Sequence, residues 1–306
     1  MCIIAAKFFQ DKGWVYAKNR DQNYVPTVSF HDMHDDKVGE ILVMYDEDIA
    51  YQEGMNHDGL VIITTSLAPT ISDEENKKDG DRIYKALHMD QDAAVKYLID
   101  QKMTGYIFVG TPKRLILIEA ARKDQGSGEY KSKVRVIPTN ETVVCTNHGN
   151  YFSWAGFQYG VTENQDMWRK SSETRKKLAE KALKNANTPE EMLDALASRM
   201  DDDLQMNLFR VERKPRQMRT IFQWALVPYD DESIIRPIQT KMKLKVSHNK
   251  LKVQILDNKS LEKVYNGAIR HFAKIKVVDD KEYKTVVTEN RVSLTFTEYL
   301  DIPNPL

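Results

Sequence analysis

The chain has 306 residues, and its 45 Lys and Arg equal its 45 Asp and Glu, so the formal net charge is zero. That balance leaves no global electrostatic case for a nucleic-acid partner or an anionic membrane surface. Apolar residues at 41% and charged ones at 29% suit a globular protein with one large core, alone or with a modest second module.

In chain order, the opening residues are broken by Lys7 and Asp11 too early for a secretory leader. No apolar run approaches the ~18 residues of a membrane span, so a cytoplasmic protein is expected. Ile3 to Phe9 and Trp14 to Ala17 read as strands joined at Asp11-Lys12-Gly13, a hairpin that brings residue 2 towards residues 18 to 21. Ile41 to Tyr45 and Leu60 to Thr65 follow as strands, with Glu53 to Gly59 read as a turn-rich connection. Asp90 is the expected cap of a helix over Asp90 to Gln101. Four strands then run over Tyr106 to Val109, Arg114 to Ala120, Val134 to Ile137 and Thr142 to Thr146. Between them, Arg122 to Glu129 reads as a hairpin loop.

Ser171 to Leu183 is a second helix, with Glu173 in its first turn. Pro189 to Met200 is a third, with Thr188 as N-cap and Pro189 at N1. Asp201-Asp202-Asp203 reads as its polar end. Thr220 to Val227 and Ile234 to Ile238 are strands again, and the tail from Met242 is mostly short strand-like runs. Lys241, Lys243, Lys245, Lys250 and Lys252 alternate as on a solvated strand face. Runs of strands with helical blocks between them, and no glycine-rich phosphate loop, argue an α+β layered-sheet protein.

Cys2 and Cys145 give neither a disulfide framework nor metal-ligand spacing, and His31, His34, His57 and His148 match no zinc motif. No metal and no cofactor are expected. Loss of Met1 would place a thiol and a free α-amine on one residue, a nucleophile with its own base, since such an amine titrates near pH ~8.

Met1-Cys2, Lys18-Asn19-Arg20-Asp21, Glu53-Gly54-Met55-Asn56-His57-Asp58-Gly59-Leu60, Thr146-Asn147 and Ser171-Ser172-Glu173-Thr174-Arg175 form an ordered set. Over roughly residues 1 to 230 this set resembles the N-terminal nucleophile hydrolases of the choloylglycine hydrolase and acyl-CoA:6-aminopenicillanic acid acyltransferase type. Asn19-Arg20-Asp21 with Met1-Cys2-Ile3-Ile4 also resembles a separate group of N-terminal-cysteine proteins marked by Asn-Arg-Asp.

The resemblance implies a single α+β domain over residues 1 to 306, a four-layer αββα sandwich of two stacked antiparallel sheets. Residues from about 240 would complete the sheets, form a small extension or make a homo-oligomer contact. It implies cleavage of carbon–nitrogen bonds in a linear, small-molecule amide, with Cys2 carrying a thioester. Asp21 would hold the cysteine amine and thiol, Asn147 would meet the oxyanion, and Arg175 would stabilise the charge network. Lys18 stands where the family usually has arginine; it still offers positive charge close to the thiol, without the fixed fork, and ranks above Arg20 for that catalytic task. Arg20 offers the fork from a neighbouring position at the pocket, although strand alternation is expected to turn it away from Lys18.

A backbone N–H near Ser66 would be the second oxyanion donor. Asn56, like Gly59, either shapes a turn or reaches the pocket. Trp154, Phe157, Tyr159 and Trp168 are core residues or walls of an acyl pocket. Acyl transfer to an amine is the close variant. A non-catalytic binding or structural protein that keeps the scaffold is the competing reading, favoured by Lys18 and by serine at position 66.

Overall fold

The computed structural model describes residues 2–24, 26–67, 73–123, 128–198, 206–210, 218–238, 241–246, 252–256, 276–277, 285–288, 291–294 and 298–302. The first strands are β1 (Cys2–Phe9), β2 (Gly13–Gln22), β3 (Thr27–Asp35), β4 (Gly39–Asp46), β5 (Tyr51–Asn56) and β6 (Val61–Thr65). Helices α1 (Asp73–Ala86) and α2 (Gln91–Asp100) come next, then β7 (Gly105–Gly110), β8 (Leu115–Arg122), β9 (Tyr130–Ile137) and β10 (Val143–Cys145). After α3 (Glu163–Leu183) and α4 (Pro189–Leu196) run β11 (Arg219–Val227), β12 (Glu232–Pro237), β13 (Lys241–Val246) and β14 (Lys252–Leu256). The last strands are β15 (Lys276–Val277), β16 (Thr285–Thr288), β17 (Arg291–Leu294) and β18 (Glu298–Ile302).

Two sheets result. One has the order β10-β1-β2-β11-β12-β14-β17-β16, the other β15-β18-β13-β3-β4-β5-β6-β7-β8-β9. Pairing is antiparallel throughout except at β12–β14 and β3–β13, where the C-terminal strands join each sheet in parallel. Because a strand turns alternate side chains to opposite faces, β1 sends Ile4 and Ala6 one way and Ile3 and Ala5 the other. The first set packs with Phe30, Leu42, Met44 and Phe108 of the second sheet. The second set packs with Ala179 and Leu183 of α3 and Met192, Leu193 and Leu196 of α4. On the far side of the second sheet, Ile83, Ala86, Ala94 and Leu98 bring α1 and α2 into the larger core. The layers are therefore helix, sheet, sheet, helix.

Between the sheets, Phe30 meets Phe222 and Trp224 edge-on, with ring centroids 5.8 and 5.4 Å apart. Each such pair contributes about 1 kcal/mol beyond simple burial. Tyr16 crosses from one sheet to donate to Thr111 O at 2.9 Å, and only a glycine at position 110 leaves it room. A Cβ there would lie 2.0 Å from the Tyr16 hydroxyl.

Three expectations change. Residues 53–56, expected to lie in the turn-rich connection Glu53 to Gly59, belong instead to β5, and only the stretch after Asn56 turns. Glu53 stays in a buried strand because a lysine from the opposite sheet neutralises it. The second helix begins at Glu163, not Ser171; its first-turn acids are Glu163 and Asp166, while Glu173 pairs with Arg169 at 2.6 Å further along. The helix over Asp73–Ala86 was not anticipated, its only strong apolar positions being Ile83 and Ala86. Asp201 to Asp203, and the side chains of Lys241, Lys243, Lys245, His31 and His34, lie outside the described residues.

Candidate active site

Cys2 starts β1 and pairs directly across with Arg20 of β2. Directly opposed residues share a face, so Cys2, Lys18 and Arg20 all point between the sheets. Asn19 and Asp21 point the other way, towards the helices. Period two thus corrects the expectation that alternation separates Arg20 from Lys18. The pairing also runs so that Asp21 lies one position past the end of the Cys2–Arg20 pair. Asp21 is therefore on the side of the Cys2 backbone nitrogen, not of its sulfur.

Asp21 is fully buried. Its Oδ1 accepts from Thr220 Oγ1 at 2.9 Å, and Thr220 is its partner on β11. Two guanidinium groups approach its Oδ2: Arg210 Nη1 at 3.6 Å and Arg175 Nη1 at 3.9 Å. Arg175 projects from the middle of α3 and also donates to Asn147 Oδ1 at 3.1 Å. Burial lowers its pKa first, the Arg210 charge adds to this, and Asp21 and Cys2 oppose both. Asn147 follows β10. Its Nδ2 donates to Thr65 Oγ1 at 3.1 Å and to Ser66 O at 3.0 Å, while its backbone N–H donates to Ser172 Oγ at 2.7 Å. Thr65 Oγ1 in turn donates to Cys2 O at 3.3 Å. Tyr106, whose hydroxyl donates to His148 O at 2.9 Å, ties the loop after Asn147 to the second sheet.

Cys2, Asp21, Asn147 and Arg175, distant in sequence, are thus joined in one hydrogen-bonded and charged cluster with Arg20 and Ser66 beside it. Lys18 and Asn56 are engaged elsewhere. Lys18 Nζ binds the Glu53 carboxylate and donates to Thr64 O at 2.8 Å. Asn56 closes its own turn by accepting from Leu60 N–H at 2.8 Å, and donates to Leu87 O at 2.8 Å.

Arg210, Thr65 and Thr220 are members of the cluster that sequence reasoning missed. Arg210 lies in an irregular segment with no motif around it. It donates to Ser171 Oγ at 2.8 Å and covers the Trp168 ring at 5.6 Å. Thr65 carries a signal only in hindsight, as the end of a strand just before Ser66. Phe157 and Trp168 lie 6.3 Å apart next to this arginine, while Tyr159 is exposed.

Both cysteines are free and buried. Burial first pushes the Cys145 thiol up, although Lys176 and Arg135 oppose it. Among the described residues, no group of three or more His, Cys, Asp or Glu side chains is placed to hold a metal, and no helix is long and apolar enough to cross a membrane.

Fold and site define a four-layer sandwich with a cysteine heading an inner strand and, one register position beyond it on the neighbouring strand, a carboxylate flanked by two arginines. No family model and no curated protein matches the chain. Among solved structures it is similar to a mutant of the conjugated bile acid hydrolase from Clostridium perfringens, with a TM-score of 0.42 and 10% sequence identity, covering 78% of this chain and 90% of that chain.

Proposed function

We propose that the protein is an N-terminal cysteine amidohydrolase that cleaves a linear, non-peptide amide through a thioester acyl-enzyme. The observation that carries this reading is the position of Asp21 past the end of the β1–β2 pairing, beside the atom that becomes an α-amine once Met1 is removed. In the reaction, Cys2 Sγ attacks the substrate carbonyl carbon, and the α-amine takes the thiol proton. Asp21 accepts a hydrogen bond from the resulting ammonium and stabilises it. That ammonium protonates the leaving nitrogen as the C–N bond breaks. Water then attacks the thioester, releasing the carboxylic acid and restoring the thiol.

Asn147 is the oxyanion donor in this scheme. Both of its amide hydrogens are already used, on Thr65 and Ser66. A substrate carbonyl must therefore displace one of these partners, and Thr65, which keeps Cys2 O, is the easier to release. The same occupied amide, with Lys18 bound to Glu53, is what favours the competing reading of a non-catalytic protein on this scaffold. Passage of the acyl group to an amine instead of water would need no change among these residues.

The test is intact-mass analysis of protein made in cells, then exposure to an amide library and mass spectrometry of the N-terminal peptide. Loss of Met1 and an acyl adduct on Cys2 are expected, with no adduct in Cys2→Ala. Asn147→Ala should slow adduct formation by about 100-fold or more. A retained methionine, or a terminus that no amide acylates, ends the proposal.

A further inference from the structure

Two cations of β2 face the space between the sheets, and the structure separates their tasks. Lys18 is directly opposite Ile4, two residues along from Cys2, and its ammonium is taken by Glu53 and Thr64 O. Arg20 is directly opposite Cys2 on the same face. It is buried, its Nη2 donates to Asp46 Oδ2 at 2.6 Å, and its guanidinium lies 5.1 Å from the Tyr51 ring centre. Its Nε, also buried, has no hydrogen-bond partner among the described residues. Asp46 carries a second donor, the Tyr24 hydroxyl at 3.1 Å, so the carboxylate that holds Arg20 is itself held.

We infer that Arg20, and not Lys18, is the cation that faces the Cys2 thiol, and that Asp46 is the residue that positions it. Burial works against the Arg20 charge, but Asp46, Cys2, Glu53 and Tyr24 outweigh it and keep the group protonated. A cation next to a cysteine favours the thiolate, the reactive form of the thiol, so the place of Arg20 across from Cys2 bears on reactivity. The planar fork matters. One edge is fixed on Asp46 and the face is covered by Tyr51, which leaves the Nε side for a neighbour on the same strand face. The other charged and titratable groups around Cys2 are Asp21 on the opposite face of β2, Arg175 from α3, Arg210 from the segment before β11, and Glu53 and Tyr51 from β5.

The inference rests on the reading of Cys2 as the nucleophile, yet its test needs no substrate. The rate of Cys2 carboxamidomethylation by iodoacetamide is followed against pH on the full chain, by mass spectrometry of the N-terminal peptide. Cys145, more deeply buried than Cys2 and with its thiol pushed up by that burial, serves as the slow internal reference. The double variant Arg20→Gln/Asp46→Asn, which leaves no lone buried charge, should alkylate about 10-fold more slowly at neutral pH, with its midpoint about one unit higher. Arg20→Lys, which keeps the charge and loses the fork, should recover part of that loss.

Asp46→Asn alone separates positioning from plain charge. Removing a negative charge would lower the midpoint, whereas releasing Arg20 from its place would raise it. A rise is expected, and a fall overturns the positioning role of Asp46. The assignment of Arg20 is overturned if Lys18→Met/Glu53→Gln moves the midpoint as far as the Arg20 variants do, or if Arg20→Lys, folded by circular dichroism, and the double variant both alkylate as wild type. Should amide trapping fail while the Arg20 shift appears, the amidase reading falls and the thiol–arginine pair stands.

Discussion

Buried beside Asn147, the His148 ring places Nδ1 2.8 Å from Ser172 Oγ and 3.2 Å from Thr146 Oγ1. Desolvation first, then the Arg169 and Lys176 charges, push its pKa down to about 4. The fold therefore disfavours the imidazolium, which an unfolded chain accepts near pH ~6.5. The stability from a neutral His148 is complete above that unfolded value and is lost as pH falls through the folded one. The loss should reach about 2 kcal/mol between pH ~6.5 and ~4. Asp79 acts in the opposite sense: burial raises its pKa to about 6 against the pull of Arg82, so acidification through that value favours the fold. Denaturant unfolding of wild type and His148→Gln, compared at pH 7 and pH 4.5, cancels the Asp79 contribution. The wild type is expected to lose more stability on acidification than the variant, and equal losses would remove His148 as the cause. At this scale Cys2, Asp21, Asn147 and Arg175 were legible because each sits in a short motif. Arg210 was not, because its role comes only from where an irregular segment is folded back.

Helix α4 covers the face of the first sheet that carries Asn19, and its start is set locally. Thr188 Oγ1 accepts from Glu191 N–H at 3.1 Å, Pro189 occupies the first turn, and Glu191 accepts from Asn187 N–H at 2.6 Å. Its carbonyl ends are used as well: Asn19 Nδ2 donates to Leu196 O at 2.8 Å, and Gln223 Nε2 to Leu193 O at 2.9 Å. Thr188→Ala should therefore cost about 1 kcal/mol of stability, and Thr188→Gly only a few tenths, as measured by urea midpoints. No loss of stability in Thr188→Ala would show that the side-chain cap contributes nothing. This helix was readable because capping chemistry is local in sequence. Helix α1 was not, since its contact with β5 depends on Gly80, where a Cβ would lie 2.8 Å from Gln52 N. That constraint belongs to the strand beneath it, not to the helix.

Across the whole molecule, the two sheets are joined by more than apolar packing. Lys18 of one sheet and Glu53 of the other are both buried, and Glu53 also accepts from Tyr51 Oη at 3.1 Å and Thr64 N–H at 3.0 Å. Removing one partner leaves an uncompensated buried charge, whereas removing both charges leaves none. Lys18→Met should lose about 3–5 kcal/mol, and Lys18→Met/Glu53→Gln much less, giving a strong coupling in a double-mutant cycle. Additive losses in chemical denaturation would show that the pair does not tie the sheets together.

Alternating apolar runs, turn residues and helix caps are properties of neighbours along the chain, so the sequence by itself determined the strand-rich α+β class, the hairpin carrying Cys2 and the capped helices α2 and α4. Tertiary structure alone decided which charges meet. Strand register set Arg20 opposite Cys2 and Asp21 beside its backbone nitrogen, sheet stacking gave Lys18 to Glu53, and chain return brought Arg210 to Asp21. The physical reason is that a buried charge is tolerated only where a partner reaches it, and a partner from another layer leaves no mark in the local pattern of residues.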